Sequence, residues 1–139
     1  MSKKAPNAVL NQKAVQDLFD GNLPGTPINA KRPWTPRQMP ESPNPSATAE
    51  DFALRVLGRN PTAEELTRGS RMNKGNCQGC WHAENVDGIT VTYRPAGKAS
   101  KDTLLSTATV ELNGPKTINK LNLDERGKPK EIKLKFPQK

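Results

Sequence analysis

Apolar residues follow two different spacings along this chain, and the change occurs near residue 75. Upstream, "TAEDFALRVLG" has apolar positions at helical spacing, with Thr48 as a candidate N-cap and Gly58 as the stop. In "NPTAEELTRGSR", Thr62 and Glu65 have the spacing of a capping box. A shorter stretch, "NQKAVQDLFDG", predicts another helix between residues 11 and 21. We therefore expect short helices in the first part of the chain.

Downstream of residue 75 the pattern has a period of two, which is typical of half-buried strands. The stretches "GITVTYRP", "TATVELN" and "EIKLKFP" each alternate between apolar and polar residues. Alternation assigns one set of side chains to the core: Ile89, Val91, Tyr93, Ala108, Val110, Leu112, Ile132, Leu134 and Phe136. Short helices followed by such strands predict an α+β fold in which the helices pack on an antiparallel sheet.

The stretch "NKGNCQGCWHAENVDGITVTYRP" reads as a hairpin, and its loop length decides the pairing. A two-residue loop would pair His82 with Tyr93 and bring the histidine onto the apolar face. A three-residue loop over residues 86–88 pairs Trp81 with Tyr93 and His82 with Thr92. It also ends on a glycine, where a left-handed residue is favoured. We therefore predict the three-residue loop.

This pairing gathers polar side chains on the opposite face of the sheet. Candidate catalytic residues are His82, Glu84, Thr92, Arg94 and Thr109. Candidate nucleic-acid-binding residues are Lys98, Ser100, Thr107, Lys133 and Lys135. A histidine or carboxylate can move the proton of an attacking 2′-hydroxyl, while cations and hydroxyls hold the phosphate. The alternative is an ordinary solvated sheet face, on which threonine and lysine are common.

Charge favours a polyanionic partner. The 139 residues hold 22 Lys and Arg against 14 Asp and Glu, for a net charge of +8. Hydrophobic residues make up only 32%, and eight of the 13 prolines precede residue 46. We therefore expect residues 1–46 to form a loosely structured, Pro-rich extended arm and residues 47–139 to form the domain.

The two cysteines and the single histidine do not make a complete metal site. Cys77, Cys80 and His82 lie close together in sequence, but a structural zinc site needs about four ligands. A nucleobase deaminase would place its cysteine pair after the H-x-E motif, and here the order is reversed. No βαβ pattern accompanies the C-x-x-C spacing, as a thioredoxin-like site would require. We expect no metal and no cofactor, with either a disulfide or two free thiols at these cysteines.

The segments "NKGNCQGCWHAENVDGITVTYRPAGKAS", "TATVELN" and "LKFP" resemble the C-terminal toxin domains of bacterial polymorphic toxins, including contact-dependent growth inhibition effectors. The likeness covers roughly residues 48–136 and is one of general pattern, so no catalytic residue is carried over from it. It implies a barnase-like fold, a small basic nuclease and delivery within a larger secreted carrier protein. It also implies neutralisation by a cognate acidic immunity protein, with the Pro-rich segment as a linker.

The sequence contains no apolar run long enough to span a membrane, so we expect a soluble protein without stable membrane insertion. Combined with the resemblance, this predicts a toxin that is secreted within its carrier and acts in the cytoplasm of a target cell. Its substrate would be RNA, with tRNA among the candidates, cleaved without metal. Two alternatives stay open: a non-enzymatic nucleic-acid-binding module, and an adaptor whose Pro-rich arm binds a protein.

Overall fold

The computed structural model describes residues 13–99 and 103–139. Its helices are α1 (Lys13–Phe19), α2 (Pro45–Leu57), α3 (Ala63–Ser70), α4 (Met72–Gly75) and α5 (Lys116–Asn119). Its strands are β1 (Thr26–Pro27), β2 (Arg37–Gln38), β3 (Trp81–Glu84), β4 (Thr90–Arg94), β5 (Ala108–Asn113) and β6 (Ile132–Phe136). The predicted α+β class is confirmed.

The sheet has six strands in the order β1-β2-β6-β5-β4-β3. Strands β3 to β6 form an antiparallel meander, as the alternation predicts. The purely antiparallel sheet is wrong, because β2 joins the edge of β6 in parallel, with Arg37 opposite Leu134. The two-residue strand β2 is too short to show a periodic pattern in the sequence.

The β3–β4 hairpin has the predicted register. Trp81 lies opposite Tyr93, and His82 lies opposite Thr92. The Asn85 amide donates to the Ile89 carbonyl at 2.9 Å and closes the loop. Gly88 has φ +82°, a left-handed conformation that glycine adopts without a steric penalty. The register prediction succeeds because a slip by one residue would have moved every apolar side chain of β3 to the other face.

Helix α2 covers the apolar face of the meander. It contacts β4, β5 and β6, and its buried side chains include Leu54 and Val56. The helix begins one turn before the predicted cap, since Asn44 accepts a hydrogen bond from the Ala47 amide and Pro45 is preorganised for the first turn. It ends at Gly58 in the left-handed conformation, as expected.

Helix α3 packs against β3 at the edge of the sheet. The capping box of Thr62 and Glu65 is present, with the Thr62 side chain accepting from the Glu65 amide at 3.1 Å. Gly69 allows the close approach, because a Cβ there would lie 2.1 Å from the Cys80 carbonyl oxygen. Helix α3 therefore lies against the start of β3, beside His82.

Residues 13–46 differ from the loosely structured arm that their prolines predicted. Val15 and Leu18 of α1 belong to the hydrophobic core, and β2 is part of the sheet. The buried Arg37 guanidinium donates to the Pro24 and Gly25 carbonyl oxygens at 2.8 and 2.9 Å. Side-chain hydrogen bonds to carbonyls thus help to order a Pro-rich segment whose strands, β1 and β2, are only two residues long. The predicted start of the first helix lies outside the described residues.

Candidate active site on the polar face of the sheet

Strand pairing aligns the polar side chains in rows across the sheet. We call the aligned residues His82, Thr92, Glu111 and Lys133 the His82 row. We call the aligned residues Arg94, Thr109 and Lys135 the Arg94 row. Both rows lie on the face opposite the core, where the alternation places them. Cross-strand neighbours have Cβ atoms only about 4.5–5.5 Å apart, so each row is a cluster of interacting groups.

His82 is exposed and oriented by its neighbour. Its Nδ1 lies 2.7 Å from Thr92 Oγ1, and Thr92 itself is only 6% exposed. The threonine is buried within the sheet and has a restricted χ1 angle, so it holds the imidazole ring in place. Because this contact occupies Nδ1, the other ring nitrogen, Nε2, is the one available to a substrate.

Glu111 and Arg94 form an ion pair beside the histidine. Arg94 Nε lies 3.6 Å from Glu111 Oε1, and both side chains are mostly buried. Arg94 also places a guanidinium nitrogen 3.7 Å from Cys77 Sγ. A guanidinium with five donors can hold a carboxylate and still present donors to an anion.

A groove of about 370 Å³ runs over these groups. Its lining residues are Arg68, Met72, His82, Thr92, Arg94 and Glu111. A second depression of about 250 Å³ shares Arg68 and His82 with the first and also contains Glu84. His82 therefore lines both depressions, with Glu111 in the first and Glu65 and Glu84 in the second.

Glu84 is exposed at the rim, and its backbone carbonyl is bound by Arg59, which lies between helices α2 and α3. Arg59 donates to the Glu84 carbonyl oxygen at 3.1 Å and to both carboxylate oxygens of Glu65, at 2.7 and 2.9 Å. The hydrogen bonds from Arg59 lower the pKa of Glu65 to about 2. This pair ties α3 to β3 at the wall of the second depression.

The Arg94 row is more buried than a solvated sheet face would be. Lys135 Nζ donates to Thr103 Oγ1 at 2.9 Å and to Thr109 Oγ1 at 3.3 Å, and burial lowers the lysine pKa. Thr109 is 1% exposed and Thr107 is 6% exposed. The structure thus places Thr109 beneath Lys135, where its hydroxyl positions the ammonium group.

The cysteines form a Cys77–Cys80 disulfide at the entrance to β3, which decides between the two alternatives left open by the sequence. Lys98 lies over it, with its carbonyl oxygen 3.9 Å from Cys77 Sγ and its Nζ 3.4 Å from Asn76 Oδ1. Ser100 lies outside the described residues. Among residues 13–99 and 103–139, no cluster of three or more His, Cys, Asp or Glu side chains is arranged to hold a metal.

The structure therefore places six of the predicted residues in the His82 and Arg94 rows: His82, Thr92, Arg94, Thr109, Lys133 and Lys135. The groove also contains three residues that are not among the candidates named from the sequence: Glu111, Arg68 and Met72. Alternation already places Glu111 on the polar face, and its register opposite Thr92 would have identified it. Arg68 and Met72 have no such signal, because they reach the groove through the packing of α3 and α4 beside β3.

Comparisons with protein-family models, with curated proteins and with solved structures find no match to this chain. Within the described part of the chain, no helix has the length and apolar character needed to cross a membrane.

Proposed function

We propose that this protein is a small basic endoribonuclease and that its active site is the groove over the His82 row. The observation that carries the proposal is the alignment of an oriented histidine, a carboxylate and cations in one open groove. His82 and Glu111 line that groove, and Arg94 lies between them and the disulfide. Metal-independent RNA cleavage needs this set of groups: a proton acceptor, a proton donor and cations for the phosphate.

The reaction is an attack of the ribose 2′-hydroxyl on the adjacent phosphorus. The Glu111 carboxylate accepts the 2′-hydroxyl proton as the O2′–P bond forms. Protonated His82 donates a proton from Nε2 to the 5′-oxygen as the P–O5′ bond breaks. The products are a 2′,3′-cyclic phosphate and a 5′-hydroxyl. A histidine is suited to this role because its charge changes near neutral pH.

Arg94 and Lys133 hold the phosphate during this step. Both flank Glu111, the first through the 3.6 Å ion pair and the second as its cross-strand partner in β6. Negative charge grows on the phosphate oxygens in the transition state, and fixed cations stabilise it without reorganisation. Lys98 and Lys135 add positive charge along the same side of the sheet.

The biological setting that we propose is that of a toxin domain, in keeping with the resemblance described above. Helices packed on one side of an antiparallel meander support a barnase-like arrangement with catalysis on the other side. A net charge of +8 suits both RNA and an acidic immunity protein that would cover the groove. Delivery by a secreted carrier into the target-cell cytoplasm, and tRNA as the substrate, complete the proposal.

The test is incubation of the purified protein with total RNA in EDTA, followed by end-group analysis. We expect cleavage that leaves 2′,3′-cyclic phosphate and 5′-hydroxyl ends. Intact RNA that is nevertheless retarded with the protein in a native gel would contradict the nuclease and support the non-enzymatic binding module instead.

A matched pair of variants assigns the carboxylate. Glu111→Gln should lower the cleavage rate by roughly 10²-fold or more, because it removes a proton-transfer group. Glu84→Gln should have a much smaller effect, since Glu84 lies at the exposed rim of the second depression. The reverse ranking would transfer the role to Glu84.

A further inference from the structure

A third groove, of about 380 Å³, adjoins the candidate active site. Its lining residues are Arg32, Trp34, Thr35, Lys130, Glu131 and Lys133. Lys133 is also a member of the His82 row, where it lies opposite Glu111. Through Lys133, this groove therefore lies next to the proposed cleavage site.

Trp34 is a large aromatic side chain that the core does not use. It lies outside both the hydrophobic core and the partly buried apolar side chains that pack against the core. The other tryptophan, Trp81, is 0% exposed, whereas Trp34 is only half-buried. A tryptophan that is partly open to solvent in a strongly basic protein is a natural platform for a stacked base.

The loop that carries Trp34 is anchored on both sides. The buried Asn122 side chain donates to the Trp34 carbonyl oxygen and also to the carbonyl oxygens of Lys130 and Glu131, at 3.1 and 3.2 Å. On the other side, Arg37 donates to the Pro33 carbonyl oxygen at 3.4 Å. These bonds fix the backbone at Trp34 relative to the start of β6. A rigid platform loses little conformational entropy when it binds a ligand.

Positive charge surrounds the indole ring. The Arg32 guanidinium lies 5.8 Å from the Trp34 ring centroid, in cation–π contact. Lys130 and Lys133 line the same groove. Aromatic rings flanked by cations bind single-stranded nucleic acid, because bases stack on the ring while the cations follow the phosphates.

The groove contains one acidic residue, Glu131. Burial and the nearby Glu111 carboxylate raise the pKa of Glu131. Burial therefore disfavours the charged form of this side chain. An acid beside the ring is also suited to accept hydrogen bonds from the edge of a base.

We propose that Trp34 stacks a nucleobase of single-stranded RNA and that Lys130 and Lys133 hold the phosphates joining that base to the scissile bond. This inference rests on RNA being the substrate, and it adds a base-binding subsite beside the proposed active site. It predicts a preference for unpaired RNA, because a base within a duplex cannot leave its stack without cost.

Tryptophan fluorescence tests the stacking directly, since the chain has only two tryptophans and Trp81 is buried. The His82→Ala protein is titrated with a short single-stranded RNA and with an abasic oligonucleotide of the same length. We expect saturable quenching by the RNA and little quenching by the abasic strand. Equal quenching by both, or none by either at concentrations where anisotropy shows binding, would overturn the subsite.

Affinity measurements with matched variants complete the test. In the same His82→Ala background, Trp34→Ala should weaken binding of labelled RNA by about 5- to 150-fold, the range of one lost stacking interaction. Trp34→Phe should restore most of the affinity, which a purely structural role of the indole would not predict. Phe19→Ala removes an aromatic residue that is 44% exposed on α1 and should leave the affinity unchanged. Unchanged affinity in a folded Trp34→Ala protein would contradict the subsite.

These outcomes separate the subsite from the proposed cleavage. If the parent protein fails to cut RNA but RNA quenches Trp34, the subsite stands and the nuclease assignment falls. If the parent protein cuts RNA while Trp34→Ala binds and cuts it equally well, the nuclease stands and the subsite falls.

Discussion

The two faces of the central sheet are made from alternate residues of the same strands, yet they differ in almost every physical respect. On one face, Val91, Val110 and Leu134 are completely buried. On the other, the His82 and Arg94 rows consist of hydroxyls, charges and an imidazole. The first face stabilises the fold by removing apolar area from water. The second does not need to be apolar, because its groups bond to one another across the strands.

The polar face is nevertheless not a simple solvated surface. Thr92 and Thr109 are nearly inaccessible, and each has a hydrogen-bond partner in the neighbouring side chains. Buried polar groups are tolerated when they are satisfied, and they then fix the geometry of their partners. We therefore expect substitutions on the apolar face to change the stability of the fold. Substitutions on the polar face should instead change the proposed cleavage of RNA.

The largest expected effect comes from removing residues 1–44, which deletes helix α1 and its two side chains in the hydrophobic core. Val15 and Leu18 are buried, and each contributes roughly 1.5–3 kcal/mol by burial. The truncated chain also loses β2 and the hydrogen bonds of Arg37. We expect it to lose its cooperative unfolding transition in urea. A truncated protein with the urea midpoint of the parent would instead support a domain that begins near residue 47, as the proline content predicts.

The next effect tests the apolar face at a single residue. Trp81→Ala should destabilise the protein by roughly 3–5 kcal/mol, because the indole is fully buried and packs against Tyr93 at a ring separation of 5.9 Å. Urea denaturation followed by circular dichroism measures the loss. Unchanged stability would mean that the two faces of β3 are exchanged.

The smallest effect concerns the edge where the polar face meets helix α3. The pKa of Glu65 is lowered to about 2 by Arg59, so this pair stabilises the folded state above the ordinary glutamate pKa. That stability is lost as the pH falls from about 4.5 towards 2. Glu65→Gln should cost about 1–2 kcal/mol at neutral pH, because Arg59 loses its charged, buried partner, while the glutamine oxygen can still accept from the Thr62 amide.

The same substitution should flatten the pH dependence of stability in this acidic range. Urea midpoints measured across it, beside Glu64→Gln as an exposed neighbour on the same helix turn, provide the check. If the urea midpoints of Glu65→Gln and the parent protein depend equally on pH, Glu65 is not the group responsible for the loss of stability in acid.

The sequence predicts the meander well because period-two alternation and loop length act together. The positions of Trp81, His82 and Tyr93 follow from one loop of three residues and one glycine. This pattern predicts the fold class, the face of the sheet on which each strand residue lies, and half of the residues that line the groove over the His82 row. These features are local, and each is written in a short stretch of the chain.

Features that depend on contacts between segments far apart in the sequence could not be predicted from local patterns. Residues 13–46 are held in place by hydrogen bonds from the Arg37 and Asn122 side chains to backbone carbonyls. Asn122 lies 88 residues from its partner Trp34 in the sequence. High proline content suggests disorder by composition, but it does not reveal such anchoring bonds. Arg68 likewise reaches the groove only because Gly69 lets α3 approach β3 closely.

We propose that the polar face cleaves RNA through His82, and the single-turnover cleavage rate of His82→Ala in EDTA tests this most directly. We expect a fall of roughly 10²- to 10⁴-fold, the usual contribution of one proton-transfer residue. Its circular dichroism and urea midpoint should match the parent protein, because the side chain is exposed on the polar face. Lys116→Ala, which removes an exposed cation on α5, should cleave at the parental rate. A folded His82→Ala protein that cleaves RNA as fast as the parent would contradict the account.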